Sequence, residues 1–99
     1  MYLDELDRCI GAYARAVSAL RADEYVDPEA LAEILLTYAN AVHARHSVTG
    51  SADDLDRSID LTLEAVRLAG AGLAGRASVW LRLGHLYDAR FTTTTDPAD

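Results

Sequence analysis

The sequence predicts an all-α fold, an antiparallel helical hairpin array of four helices in one domain. Three observations carry this. Apolar residues recur at steps of three and four along the chain, the spacing of one helical face. Asp-Pro, Gly and Ser/Asp clusters punctuate these runs at helix-length intervals. No segment sustains apolar–polar alternation at period two, so no strand is expected.

The first helix is expected over residues 3–22. Leu3, Leu6, Ile10, Tyr13, Val17 and Leu20 form its apolar stripe. Asp4, Glu5 and Asp7 fall in its first turn, where the helix dipole favours negative charge. The stretch from Arg21 to Val26 breaks the pattern. The second helix, over 28–46, opens at Asp27-Pro28: aspartate caps, and proline at the first helical position lacks only a donor that would go unpaired. Leu31, Ile34, Leu35, Tyr38 and Val42 make its face, and it should fade near His46 before a loop broken at Gly50. The third helix, over 52–69, is capped by Ser51 or Asp53 and carries Leu55, Ile59, Leu63 and Val66. The glycine-rich run over 69–75 ends it. The fourth, over 73–91, points Val79, Trp80, Leu83 and Tyr87 inward, and residues 92–99 form a tail.

Ninety-nine residues, half of them apolar and a quarter charged, make one small soluble domain with a modest core. The net charge of −7 repels phosphates, so neither nucleic acid nor an anionic membrane surface is an expected partner. No apolar run approaches the roughly 18 residues of a membrane span. The acidic N-terminus does not look like a signal peptide, and the single cysteine, Cys9, cannot form an internal disulfide. The expected location is the cytoplasm. All nine basic residues are arginine and alanine is abundant, which points to a GC-rich bacterial genome.

The helices repeat. Leu6, Asp7, Arg8 and Ile10 recur 49 residues on as Leu55, Asp56, Arg57 and Ile59, and Ala16-Val17 as Ala65-Val66. The second and fourth helices align at an offset of 45, "LLTYANAVHAR" against "WLRLGHLYDAR". The chain therefore reads B–A–B–A, two copies of one hairpin in rotated phase. The ending Asp96-Pro97-Ala98-Asp99 aligns with Ser51-Ala52-Asp53-Asp54, the start of a B helix. A further B helix is thus expected to follow, either in a longer native chain or supplied by another chain.

Trp80-x2-Leu83-Gly84-x2-Tyr87 resembles the first helix of a tetratricopeptide repeat, and Leu35-x2-Tyr38-Ala39-x2-Val42 is its weaker counterpart. The partner helix of that family places small residues where backbones approach, as Cys9-x3-Tyr13-x2-Ala16 and Ser58-x3-Thr62-x2-Ala65 do here. The family period is about 34 residues, so this chain resembles a long-loop variant. Such arrays resemble those of large actinobacterial proteins, beside a caspase-like protease or a nucleotide-binding ATPase domain. The resemblance implies an α-solenoid fragment and a concave groove lined by the A helices. It assigns Glu33, Thr37, Asn40 and His43, then Ser78, Arg82, His85 and Asp88, to that groove. Asn40 matches a position that holds a peptide backbone by its amide. Leu36 stands where the carboxylate-binding subclass has a lysine.

Other constellations are thin. His43, His46 and His85 lack the cysteine or carboxylate that would complete a convergent zinc set. Cys9 aligns with Ser58 and reads as a small buried core residue, not a nucleophile. Asp53, Asp54, Asp56, Asp60 and Glu64 lack the calcium-loop spacing. Neither a catalytic set nor a phosphate loop is present, and no cofactor is expected. The expected function is a protein–protein interaction scaffold that binds a peptide or neighbouring domain. The alternatives are a regulatory fragment of a larger signalling or protease protein, and a small homodimeric bundle. Two repeats are marginal alone, so self-association through the open side of the fourth helix, exposing edges of Trp80, Leu83 or Tyr87, is also expected.

Overall fold

The structure, a computed structural model, describes residues 2–70 and 76–94, with side chains as far as 92. The glycine-rich run over 69–75 ends the third helix as expected, at Ala69 with Gly70 after it; the rest of that run, with the helix start at Leu73, and the motif at Asp96-Pro97 lie outside the described residues. Four helices and no strand make up the described chain: α1 (Tyr2–Ala22), α2 (Pro28–Thr49), α3 (Ala52–Ala69) and α4 (Ala77–Thr94). The protein is an all-α helical array. Among the described residues no helix is long and apolar enough to cross a membrane.

Local chemistry sets the ends. Asp27 Oδ1 accepts the Glu29 backbone N–H at 3.1 Å, with Pro28 opening α2. Ser51 Oγ accepts the Asp54 N–H at 3.4 Å, so Ser51 and not Asp53 caps α3. α2 runs to Thr49, one turn past the expected fade at His46. Gly50, at φ 74°, closes it by donating its N–H to the His46 carbonyl at 2.7 Å. Thr49 Oγ1 also donates to the Arg45 carbonyl, and Ser47 Oγ to the His43 carbonyl. Local hydroxyls and an αL glycine thus extended the helix beyond its apolar stripe. α4 likewise continues to Thr94 rather than ending near 91, and Thr92 Oγ1 donates to the Asp88 carbonyl.

Each helix packs on its neighbour in sequence, and no Cα of α2 comes within 8 Å of one in α4, nor one of α1 within 8 Å of α3. The array measures 50 × 34 × 18 Å. The short axis holds two layers of helices, each roughly 10 Å across. α1 and α3 form one layer, and α2 and α4 the other. Arg57 reaches Tyr38 and Arg45 reaches Asp54, so partners run in opposite senses along α2 and α3. Arg21–Glu64 bridges α1 to α3, and Glu33 of α2 pairs with Arg76, the residue before α4. Arg45 also holds Asp7 and Asp54 at the other end of α1 and α3, and His43 lies beside Arg82 and His85, so alternate helices run parallel.

The main core joins Leu6, Ile10 and Val17 of α1 to six residues of α2, from Leu31 to Val42, with Leu61 and Ala65 of α3 and Val79 of α4. A smaller cluster of Leu55, Ile59 and Leu86 holds α4 to α3. Two expectations fail here. Cys9 is exposed, as is Ala16, because no described helix packs against the α1 face that carries them. Trp80 and Tyr87 are 51% and 41% exposed, while Leu83 is buried and Leu86, outside the motif, takes the inward place. On the open side of α4 it is therefore the two aromatics that show, and Leu83 is covered.

Candidate functional site

The A-helix residues that the sequence assigns to a groove sit at spacings of four, three and three, which puts each set on one helical face. Glu33, Thr37, Asn40 and His43 come from α2; Ser78, Arg82, His85 and Asp88 come from α4. The structure brings seven of the eight together. A cleft of about 320 Å³ is lined by His43, Ser78, Arg82 and His85, with Leu81 and Leu86 as its apolar surface. A second hollow of about 210 Å³ continues from it past Thr37, Asn40 and Glu33, sharing Ser78 and Arg82. Asp88 does not line either hollow.

The groove's charges are not alike. Glu33 is held by Arg76 at 3.0 Å, both half exposed, and Thr37 Oγ1 donates to the Glu33 carbonyl. Arg82, half-buried at the junction of the two hollows, has no carboxylate partner among the described residues. Burial of its ring holds His43 below the usual histidine range, and neighbouring His46 and Arg82 add to this by repelling a proton. His43 and His46 stack with ring centroids 6.1 Å apart, and His46 Nδ1 lies 2.8 Å from the Ser51 carbonyl. His46 is therefore a fixed member of α2 and not a frayed end. Among the described residues no three His, Cys, Asp or Glu side chains converge as metal ligands.

Two arrangements were missed by sequence reasoning. On the opposite face a hollow of about 380 Å³ lies between α1 and α3. It is larger than either part of the groove, and three of its four charged side chains, Arg21, Arg57 and Glu64, are already engaged within it. Arg57 donates to Tyr38 Oη at 2.7 Å and stacks over its ring, and Arg21 pairs with Glu64. The second is Arg45, which donates to Asp54 at 2.8 and 2.9 Å and to Asp7 at 3.1 Å. These bonds, the Asp54 pair foremost, hold its guanidinium above its ordinary pKa. The same bridge recurs at Arg90–Asp56, 3.5 Å, and both residues are the aligned counterparts of Arg45 and Asp7. The signal was in the sequence: two aligned arginines and two aligned aspartates at fixed offsets.

No family model, curated protein or solved structure matches the chain.

Proposed function

We propose that this chain is a tetratricopeptide-like interaction module that binds a peptide or a neighbouring domain along the α2/α4 groove. The observation that carries the reading is the junction at Arg82. There the Arg82 guanidinium, with no carboxylate partner among the described residues, joins a cleft of His43, His85, Leu81 and Leu86 to the hollow that the Asn40 amide lines. Binding sites of this make-up, mostly apolar with a few convergent polar groups, orient a ligand by those groups. The chemistry favours a segment that sets a carboxylate beside an apolar side chain, since arginine is the strongest carboxylate partner. The repeat reading rests on the ion pair that recurs at aligned positions, Arg45–Asp7 and Arg90–Asp56.

A peptide-display library panned against the purified chain tests this. Enriched sequences should carry an acidic residue next to an aliphatic or aromatic one. Their affinity, measured by fluorescence anisotropy, should fall about tenfold on Arg82→Ala, the loss of one charge-assisted hydrogen bond. Asn40→Ala should weaken binding less, and Arg15→Ala on α1 should leave it unchanged. Failure to enrich any sequence, or affinity indifferent to Arg82 and Asn40, would sink the reading.

A further inference from the structure

The internal alignment allows each helix face to be compared with its counterpart, and two faces are left open. In α2 the stripe Leu35, Ala39 and Val42 is fully buried against the rest of the core. Its counterparts in α4 are Trp80, Gly84 and Tyr87, and all three are exposed, as is Phe91 one turn on. In α3 the stripe Asp54, Ser58, Leu61 and Ala65 is buried. Its counterparts in α1 are Glu5, Cys9, Ala12 and Ala16, and all four are exposed. Both open stripes follow one helical line of steps four, three and four, from Trp80 to Phe91 and from Glu5 to Ala16. The two buried stripes both lie in the α2·α3 pair, the most extensive helix contact in the molecule.

We propose that α4 of one copy docks against α1 of a second copy, reproducing the α2·α3 contact between chains. α1 and α4 thus carry the two complementary halves of an interface that α2 and α3 already make inside the chain. Sizes match across the junction. Where α2 offers Leu35 and Val42, α4 offers the larger Trp80 and Tyr87; where α3 offers Leu61, α1 offers the smaller Ala12. Large against small keeps the packing close. Charge matches as well. Arg45 holds both Asp7 and Asp54. Arg90 already holds the Asp7 counterpart, Asp56, and the second copy's Glu5, the counterpart of Asp54, arrives on the same side. Such a contact is head-to-tail, so it propagates into chains or rings and does not stop at a two-fold dimer. It does not use the groove residues and stands or falls apart from the peptide reading.

Two variants block one half each without touching the core. At Gly84 an added Cβ meets nothing within 4 Å, so Gly84→Arg fits the single chain and obstructs only the α4 face. Ala16→Arg obstructs only the α1 face. Light scattering coupled to size exclusion, run over a concentration series, is expected to show the unaltered chain growing through multiples of its 10.7 kDa mass. Each variant alone should stay monomeric, with helical circular dichroism unchanged. Mixed, the two should form a 1:1 dimer and nothing larger, since each retains the half the other lacks. A monomeric parent chain would overturn the proposal. So would Ala16→Arg associating like the parent, which marks an α4–α4 dimer, or a mixture that stays monomeric. If Gly84→Arg loses helicity, Tyr87→Arg replaces it in the same mixing experiment.

Discussion

α2 and α4 hold equivalent places in the two hairpins, yet they live in different surroundings. α2 packs on α1 and on α3, so its Leu35, Ala39 and Val42 reach almost complete burial. Among the described helices α4 packs on α3 only, and the aligned Trp80 and Tyr87 stay exposed. The same register therefore has two meanings. In the middle of the array a stripe is core, and at its edge it is surface. What decides is the number of neighbouring helices, which no property of the stripe itself encodes.

Truncation at matched positions should separate the two helices. Leu35→Ala should cost about 2–5 kcal/mol in urea unfolding, the range for a fully buried leucine left as a cavity. Trp80→Ala, at the aligned place, should cost no more than about half of that, because half of its surface is already in water. Equal losses would mean that α4 is covered in solution. The arginines make a second pair. Arg45→Ala removes two carboxylate contacts, one to the largely buried Asp54, and should cost about 2 kcal/mol. Arg90→Ala breaks a longer, solvent-exposed pair and should cost under about 1 kcal/mol. Gly50→Ala, at the positive φ that closes α2, should cost about 1 kcal/mol by the same assay.

The smallest effect concerns pH. His43 binds a proton less readily folded than unfolded, so the unfolded chain takes up more protons below about 6.5, the ordinary value. The contribution of His43 is complete above that value and is lost as pH falls through the lowered folded pKa. His43→Gln should therefore flatten the fall of Tm between pH 7 and pH 5 relative to the parent chain. An unchanged slope would show that the ring is solvated.

The helices and their order were legible because apolar spacing, Asp27-Pro28 and Ser51 act within a turn or two of themselves. The convergence of seven candidate residues was legible because the second and fourth helices align at a single offset of 45. Exposure at Cys9 and Ala16 was not. Small residues mark where a helix can approach, and only the fold says whether one does. Leu86 was missed for a related reason: the Trp80–Tyr87 motif drew attention to one face, while α3 meets the next. The extra turn at the end of α2 depends on hydroxyls of Ser47 and Thr49 that have no apolar signal.

The small cluster of Leu55, Ile59 and Leu86 ties α4 to α3. To the larger core α4 contributes Val79, and the other residues of that core come from α1, α2 and α3. Native proteins open in cooperative pieces, and the piece with the least buried apolar contact opens first. Amide protons of α4 should therefore exchange with deuterium through a partial opening that leaves α1, α2 and α3 closed. Those of Leu35 to Val42 should exchange only when the whole molecule unfolds. The array would then come apart from one side, like a zip with a single free end.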